Sequence, residues 1–475
     1  MMIQVCQVPG LLASNGPMAY DNPYIAIIKG HPTMPVLRPE QRIAANVTAT
    51  QSRLLLADVG AGKTATAATA IRQRRLIEGR KRILVLGTVR ICDTVWGPEL
   101  AKWAPELRYQ SVAGRKPSQR EAFMEDQSID VVGLNFDNLM WAVETYGTAL
   151  PVLFPWLIVD ESSKLENPGA KSFKAIKPLL PLFQWRLPMT GTPRANHLYD
   201  LWGNVYLADL GEALGKFREA FLQQWFFPKQ GIVGPVWIPK HNAEEQIYER
   251  LKGVVHRMPF EWPAPIEINT ILPLHPKVKS ILEYVDNCLA GEIPDVELNG
   301  VTYARAGMRI NAKLLQLSSG FLYSDKKEII PLHEAKIQAL SEIVSEAKGE
   351  PIMVIYQFDH ERDAILNYFP QAEVFKDDET LARWNAGDIE VLLCHPLSCG
   401  YGVNAQFSGS DLQVWYSPTF DAELYTQTVG RLNRSGNTKT VRVIRLIMKG
   451  TKDMAAYMMI AARQRGEDAT LDMFE

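Results

Sequence analysis

The sequence predicts an α/β fold with two parallel sheets in tandem, each flanked by helices. Two observations predict it. Short apolar runs alternate with longer helical patterns, as expected when crossover helices cover a parallel sheet. The runs also form two series, separated by an aromatic stretch that is broken by prolines. The chain has 475 residues, enough for roughly two to four domains.

The first series comprises Leu54 to Ala57, Ile83 to Leu86, Asp130 to Leu134, Trp156 to Val159 and Trp185 to Met189. These runs are almost continuously apolar, which suits strands buried on both faces. From about 203 to 265, Pro228, Pro235, Pro239, Pro259, Pro263 and Pro265, with Gly231 and Gly234, interrupt any long helix. A helical insertion and interdomain linker are expected there. The second series comprises Ile352 to Ile355, Val391 to Cys394, Leu412 to Trp415 and Val441 to Leu446. The expected domains are therefore 1–202, 203–265 and 266–452, with a helical tail over 453–475.

Lys and Arg total 51 against 53 for Asp and Glu, a net charge of −2. A groove for nucleic acid would have to be local, because the whole surface carries no basic field. The stretch from Asp421 to Lys452 holds seven basic residues against two acidic ones, and a locally positive face is expected from it. Arg72, Arg74, Arg75, Arg80, Lys81 and Arg82 are expected at the exposed end of a helix, favourably placed against its dipole. The five cysteines have no C-x-x-C pair, so reduced, mostly buried thiols in a cytosolic protein are expected. No basic-then-apolar leader and no long apolar run appear. The expected setting is a cytoplasm, bacterial or phage-infected, with no membrane partner.

Ala57-Asp58-Val59-Gly60-Ala61-Gly62-Lys63-Thr64 follows the first strand and precedes the helix-forming Ala65 to Ala70. It matches a phosphate-binding loop except for Ala57 in place of the first glycine. Glycines let successive N–H groups turn inward toward phosphate oxygens at a helix N-terminus. Lys63 would neutralise the outer phosphates, and the Thr64 hydroxyl would help hold Mg²⁺. Asp160 and Glu161, at the end of another strand, would supply a metal carboxylate and a residue to polarise the attacking water. Gln427, Gly430, Arg431 and Arg434 cluster in the second series. The two arginines stand at i and i+3, and planar guanidinium groups suit a transferring phosphoryl group.

In order and spacing these motifs resemble superfamily 2 helicases and translocases, most of all the SNF2-related group in its compact phage-type form. The resemblance runs from about Leu37 to Lys452 and implies two RecA-like domains with an ATP cleft between them. It implies that Gln41 reads adenine, and that Gly60, Ala61, Gly62, Lys63, Thr64, Ala65, Gly402 and Asn404 line the ATP site. Thr190 and Thr192 would couple nucleotide state to movement, and Thr88, Asn135, Ser398 and Gly400 would touch nucleic acid. Lys63, Glu161, Gln427, Arg431 and Arg434 would carry hydrolysis, with Thr64 and Asp160 on the metal. ATP and Mg²⁺ are the implied cofactors. DNA, single- or double-stranded, is the implied partner, together with a replication, recombination or nuclease protein. Motif II departs from the family pattern, with Asp-Glu-Ser-Ser where Asp-Glu-Ala-His is common, and motif VI carries Asn433 and Asn437. Trp96, Trp103, Trp384 and Trp415 are expected mainly in packing, with base stacking as the minority role.

Overall fold

The structure, a computed structural model, describes residues 35–472 apart from Val59, 192–197, 231–234, Glu261, 290–295, 299–300, 304–306, 324–327, Tyr401 and Ser435. In the first half, strands β1 (Leu54–Ala57), β2 (Ile83–Gly87), β3 (Tyr109–Ser111), β4 (Val131–Asn135), β5 (Trp156–Asp160) and β6 (Trp185–Thr190) form a parallel sheet. Its two faces are read by alternation along each strand. Leu54 and Leu56 enter one core with Leu84, Leu86 and Val132, while Leu55 enters the opposite core with Ile83, Val85 and Ile158. The near-continuous apolar runs are explained, because both faces need apolar side chains.

The stretch 203–265 differs from the helical insertion and linker that its sequence suggests. It does hold helices Arg218–Trp225 and Ala243–Leu251, but also an antiparallel hairpin, β7 (Phe226–Gln230) with β8 (Pro235–Pro239), and a strand β9 (Val255–Met258). β9 pairs in parallel with β1 and completes a seven-stranded sheet ordered β3-β4-β2-β5-β6-β1-β9. Its sequence, Val-His-Arg-Met, lacks the apolar continuity of the inner strands because it lies at the sheet edge, where Val255 and Met258 are buried and His256 and Arg257 only partly so.

The second sheet is ordered β10-β19-β18-β15-β17-β16 and is also all parallel. Its strands are β10 (Ile266–Leu272), β15 (Ile352–Ile355), β16 (Glu373–Val374), β17 (Val391–Cys394), β18 (Leu412–Trp415) and β19 (Arg442–Met448), with small hairpins β11 (Val296–Leu298)/β12 (Val301–Tyr303) and β13 (Phe321–Tyr323)/β14 (Ile329–Pro331) between β10 and β15 in the chain. Met353 and Ile355 pack on one face, Ile352 and Val354 on the other. Helix Lys452–Asp472 ends the described chain. Cys92, Cys394 and Cys399 are buried free thiols. No helix among the described residues is long and apolar enough to cross a membrane.

The basic cluster after the phosphate loop is only in part a solvated helix end: Arg80 is exposed, but Arg74 and Arg82 are buried. Arg74 is buried, donates to the Ala49 carbonyl at 2.8 Å and stacks over Trp156 and Trp185. Arg82 is buried and donates to the Ile129 and Met124 carbonyls, while Arg75 and Arg80 converge on Asp130 at 2.7 and 2.8 Å. A carboxylate buried among strand ends needs such partners, so these charges serve the fold. The basic run after Asp421 is likewise less positive than its count suggests. Arg442 pairs with Asp411, Arg445 with Glu267, and Lys439 with Glu350. Trp96, Trp384 and Trp415 are fully buried and Trp103 nearly so, which leaves all four in packing.

Candidate ATP site and the contacts across its cleft

The loop between β1 and helix Lys63–Glu78 turns on two glycines at positive φ, Gly60 at 84° and Gly62 at 81°. Gly62 cannot be replaced without displacement: a Cβ there would run into the Gln41 Nε2. Gln41 lies on helix Pro39–Thr50 and braces the loop from beneath. Its Nε2 donates to the Ala61 carbonyl at 3.0 Å, its Oε1 accepts from the Arg38 N–H at 2.9 Å, and Arg38 itself donates to Ala61 at 2.5 Å. The Gln41 amide, expected at the adenine, is thus engaged by the loop. Ala61 and Ala65 are buried, and Thr64 is partly exposed at the first turn of the helix.

Lys63 Nζ lies 3.4 Å from Glu161 Oε1. Glu161 follows β5 in the left-handed region, at φ 60°, an uncommon backbone state for a residue with a Cβ and one that clusters at functional sites. Its other oxygen, Oε2, is buried without a hydrogen-bond partner. Asp160 accepts from the Trp96 Nε1 at 2.9 Å. Burial first, then the Glu161 charge, push the Asp160 carboxyl up to about 6 against the opposing pull of Lys63 and Trp96. A buried carboxylate of this kind gains most from a divalent cation.

The second sheet brings its residues to the same loop. A Cβ on Gly60 would lie 3.4 Å from the Arg434 Cβ and 3.5 Å from the Phe260 ring. The Arg434 Nε is shielded from solvent and has no hydrogen-bond acceptor. Phe260, just after β9, donates its N–H to Asp58 at 3.0 Å and receives Arg38 over its ring. Arg431 differs from Arg434. Expected at the phosphates, it is buried and donates to the carbonyls of Gln427, Val403 and Gly400 at 2.9, 3.1 and 2.7 Å. Three backbone acceptors hold its guanidinium against the second domain's own loop.

Further contacts bridge the two sheets. Arg90 donates to the Gly402 carbonyl at 3.2 Å and to Asp378 at 2.8 Å. Ser163 Oγ donates to Glu423 Oε1 at 3.0 Å, and Gln427 Nε2 donates to the same oxygen at 3.2 Å. Lys164 approaches Glu423 at 3.9 Å. Glu423 was missed in the sequence because an acidic residue in a helix's first turn has an ordinary reason to be there. Its signal lay in Ser163, the departure in motif II. The other motif II serine, Ser162, donates to Asn204 at 2.6 Å, and Asn204 in turn donates to Glu166. Thr190 is buried at the end of β6, and Thr192 lies outside the described residues.

The expected nucleic-acid residues sit at strand ends. The Thr88 hydroxyl accepts from the Ile91 N–H, and the Asn135 side chain is held by Asp137 and Asn138. Ser398 is exposed, while Gly400 is buried with its carbonyl on Arg431. Asn404 is exposed and its carbonyl accepts from Asn385.

The SNF2-related domain profile matches residues 41–278. Putative protein p41 of Acyrthosiphon pisum secondary endosymbiont phage 1 is 32% identical over 422 residues, spanning 84% of this chain and 89% of that one. This chain belongs to the SNF2-related family. Among longer SNF2-related proteins, the ATP-dependent DNA helicase DDM1 of Arabidopsis thaliana is 22% identical over 74% of this chain, which spans 50% of that protein. The solved Sulfolobus solfataricus SWI2/SNF2 ATPase core in complex with dsDNA aligns with 94% of this chain and 96% of its own at 19% identity and a TM-score of 0.43. In this chain Asp160 and Glu161 are followed by Ser162 and Ser163.

Proposed function

We propose that this SNF2-related chain is an ATP-driven motor that hydrolyses ATP to ADP and phosphate and moves along DNA. The observation that carries the reading is the meeting of Arg434 with the Gly60 loop beside the Lys63–Glu161 pair. The residues fit the absent groups: positive-φ glycines open the cradle, and Glu161 Oε2 and Arg434 Nε are buried polar atoms in need of partners. ATP with Mg²⁺ supplies the phosphoryl group and a cation that offsets its charge. Lys63 and the loop N–H groups hold the phosphates. Thr64 and Asp160 hold the metal, a small ligand set that suits an ion otherwise bound by phosphate and water. Glu161 orients and polarises the water, and Arg434 completes the charge stabilisation when the domains are closed.

DNA is the favoured track, as the name of the Arabidopsis relative also suggests. Residues that follow the strands, among them the exposed Ser398 in the short helix Pro396–Cys399, would hold it through phosphates, giving salt-sensitive and weakly sequence-specific binding. The domains that would move are 1–202 with its insertion to 265 and 266–452. The test is ATPase activity with single-stranded, double-stranded and forked DNA and with RNA, alongside strand displacement. Wild-type protein inert with all four would sink the reading. Stimulation without displacement would make it a duplex translocase.

A further inference from the structure

The geometry points to Glu423 as a positioning residue that latches motif II to the second domain, linking the water-activating Glu161 to the loop that ends at Gly400. This inference deepens the motor reading and rests on it. Glu423 and Gln427 stand one turn apart on helix Ala422–Val429, with Arg431 just beyond its end. From Ser163 the contacts run without a gap: Ser163 donates to Glu423, Gln427 donates to Glu423, Arg431 donates to the Gln427 carbonyl, and Arg431 also donates to the Gly400 and Val403 carbonyls.

Ser163 is two residues from Glu161, whose left-handed backbone leaves little freedom to move alone. Tilting Ser163 therefore carries Glu161 with it. Glu423 is buried in the closed cleft and its Oε1 accepts from both Ser163 and Gln427, so withdrawing the serine removes one of two donors and costs the net worth of a hydrogen bond to a charged group. That cost makes the contact two-state, made or broken. The serine at the fourth motif II position is what reaches across; the departure from histidine thus has a structural use.

The experiment uses the full chain with Glu423→Ala, Ser163→Ala, the double variant and Glu423→Gln. Small-angle scattering without nucleotide or DNA reads closure directly. Each alanine variant is expected to have a larger radius of gyration than wild type, the double variant no larger than either, and Glu423→Gln the wild-type value, since its amide oxygen still accepts from Ser163. In DNA-stimulated turnover, Glu423→Ala should lower kcat about 10-fold with KM for ATP changed less than about two-fold, and Glu423→Gln should recover to within about three-fold of wild type. Equal radii in all variants, or independent and additive effects of the two alanines, would overturn the latch. Because scattering needs no turnover, a wild-type protein that hydrolyses nothing sinks the motor reading while the latch still stands or falls on its own result.

Discussion

Lys63 Nζ and Glu161 Oε1 lie 3.4 Å apart, a salt bridge across the phosphate loop made by side chains that are both largely buried. Each holds the other in place until phosphate competes for the lysine and water for the glutamate. Lys63→Ala should lower DNA-stimulated ATP hydrolysis at least about 100-fold and weaken nucleotide binding. Glu161→Gln should lower turnover on a similar scale but keep nucleotide bound, because it removes only the base. Single-turnover kinetics with a fluorescent nucleotide displacement assay separates the two.

Arg431 and Arg434 should behave differently although both belong to one motif. Arg434→Ala should reduce kcat by on the order of 10³ with little change in melting temperature, since it removes a group poised for phosphate. Arg431→Ala strands three carbonyls and should destabilise the fold by about 2–4 kcal/mol, read by urea unfolding. Equal thermal stability in the two variants would contradict this division.

Trp96→Phe removes the indole donor from Asp160 while filling most of the space. A hydrogen bond to a charged group is worth about 1.5–3 kcal/mol. The loss should appear in unfolding free energy, and the Mg²⁺ concentration for half-maximal turnover should rise. An unchanged Mg²⁺ titration would show that the indole does not orient the carboxylate.

Stability should fall as pH rises toward the alkaline side, and Glu166 should be one cause. Burial, with the charges of Asp200 and Glu423, pushes its carboxyl up to about 10. A raised acid stabilises the fold fully below its unfolded value near 4.5, and the contribution is lost as pH rises toward the folded value. Glu166→Gln should flatten this slope between pH 5 and about 9 and leave the melting temperature at neutral pH unchanged or higher. A slope identical to wild type would show that Glu166 is ionised in the native protein.

Arg74→Ala should cost about 2–4 kcal/mol through the lost Ala49 bond and the bared indoles, with DNA affinity unchanged. The residue shows where sequence reading stops. Inner strands such as Leu54–Ala57 were legible because burial on both faces demands apolar side chains throughout, and Gly62-Lys63-Thr64 because phosphate binding demands that chemistry at that spacing. Arg74 was not, because a basic residue on a helix has the same letter whether it meets water or two tryptophans. Val255–Met258 was hidden for a related reason, since at the sheet edge its middle residues His256 and Arg257 are only partly buried and need not be apolar. Glu423 and the role of Arg431 depend on which loops fold back across the cleft, and long-range pairing of that kind leaves no periodic trace in the chain.

Phe260 is bound to Asp58 beside Gly60, and β10 begins at Ile266. The leash between the two halves is thus only the span from Phe260 to Ile266, and at about 3.3–3.6 Å per residue it reaches roughly 20 Å when taut. Pro263 and Pro265 stiffen it further. While the Phe260–Asp58 hydrogen bond holds, covalent length limits how far the two halves could part at this point. Because the leash is pinned beside the nucleotide loop, tension from the far half is delivered to the place where phosphate would be held.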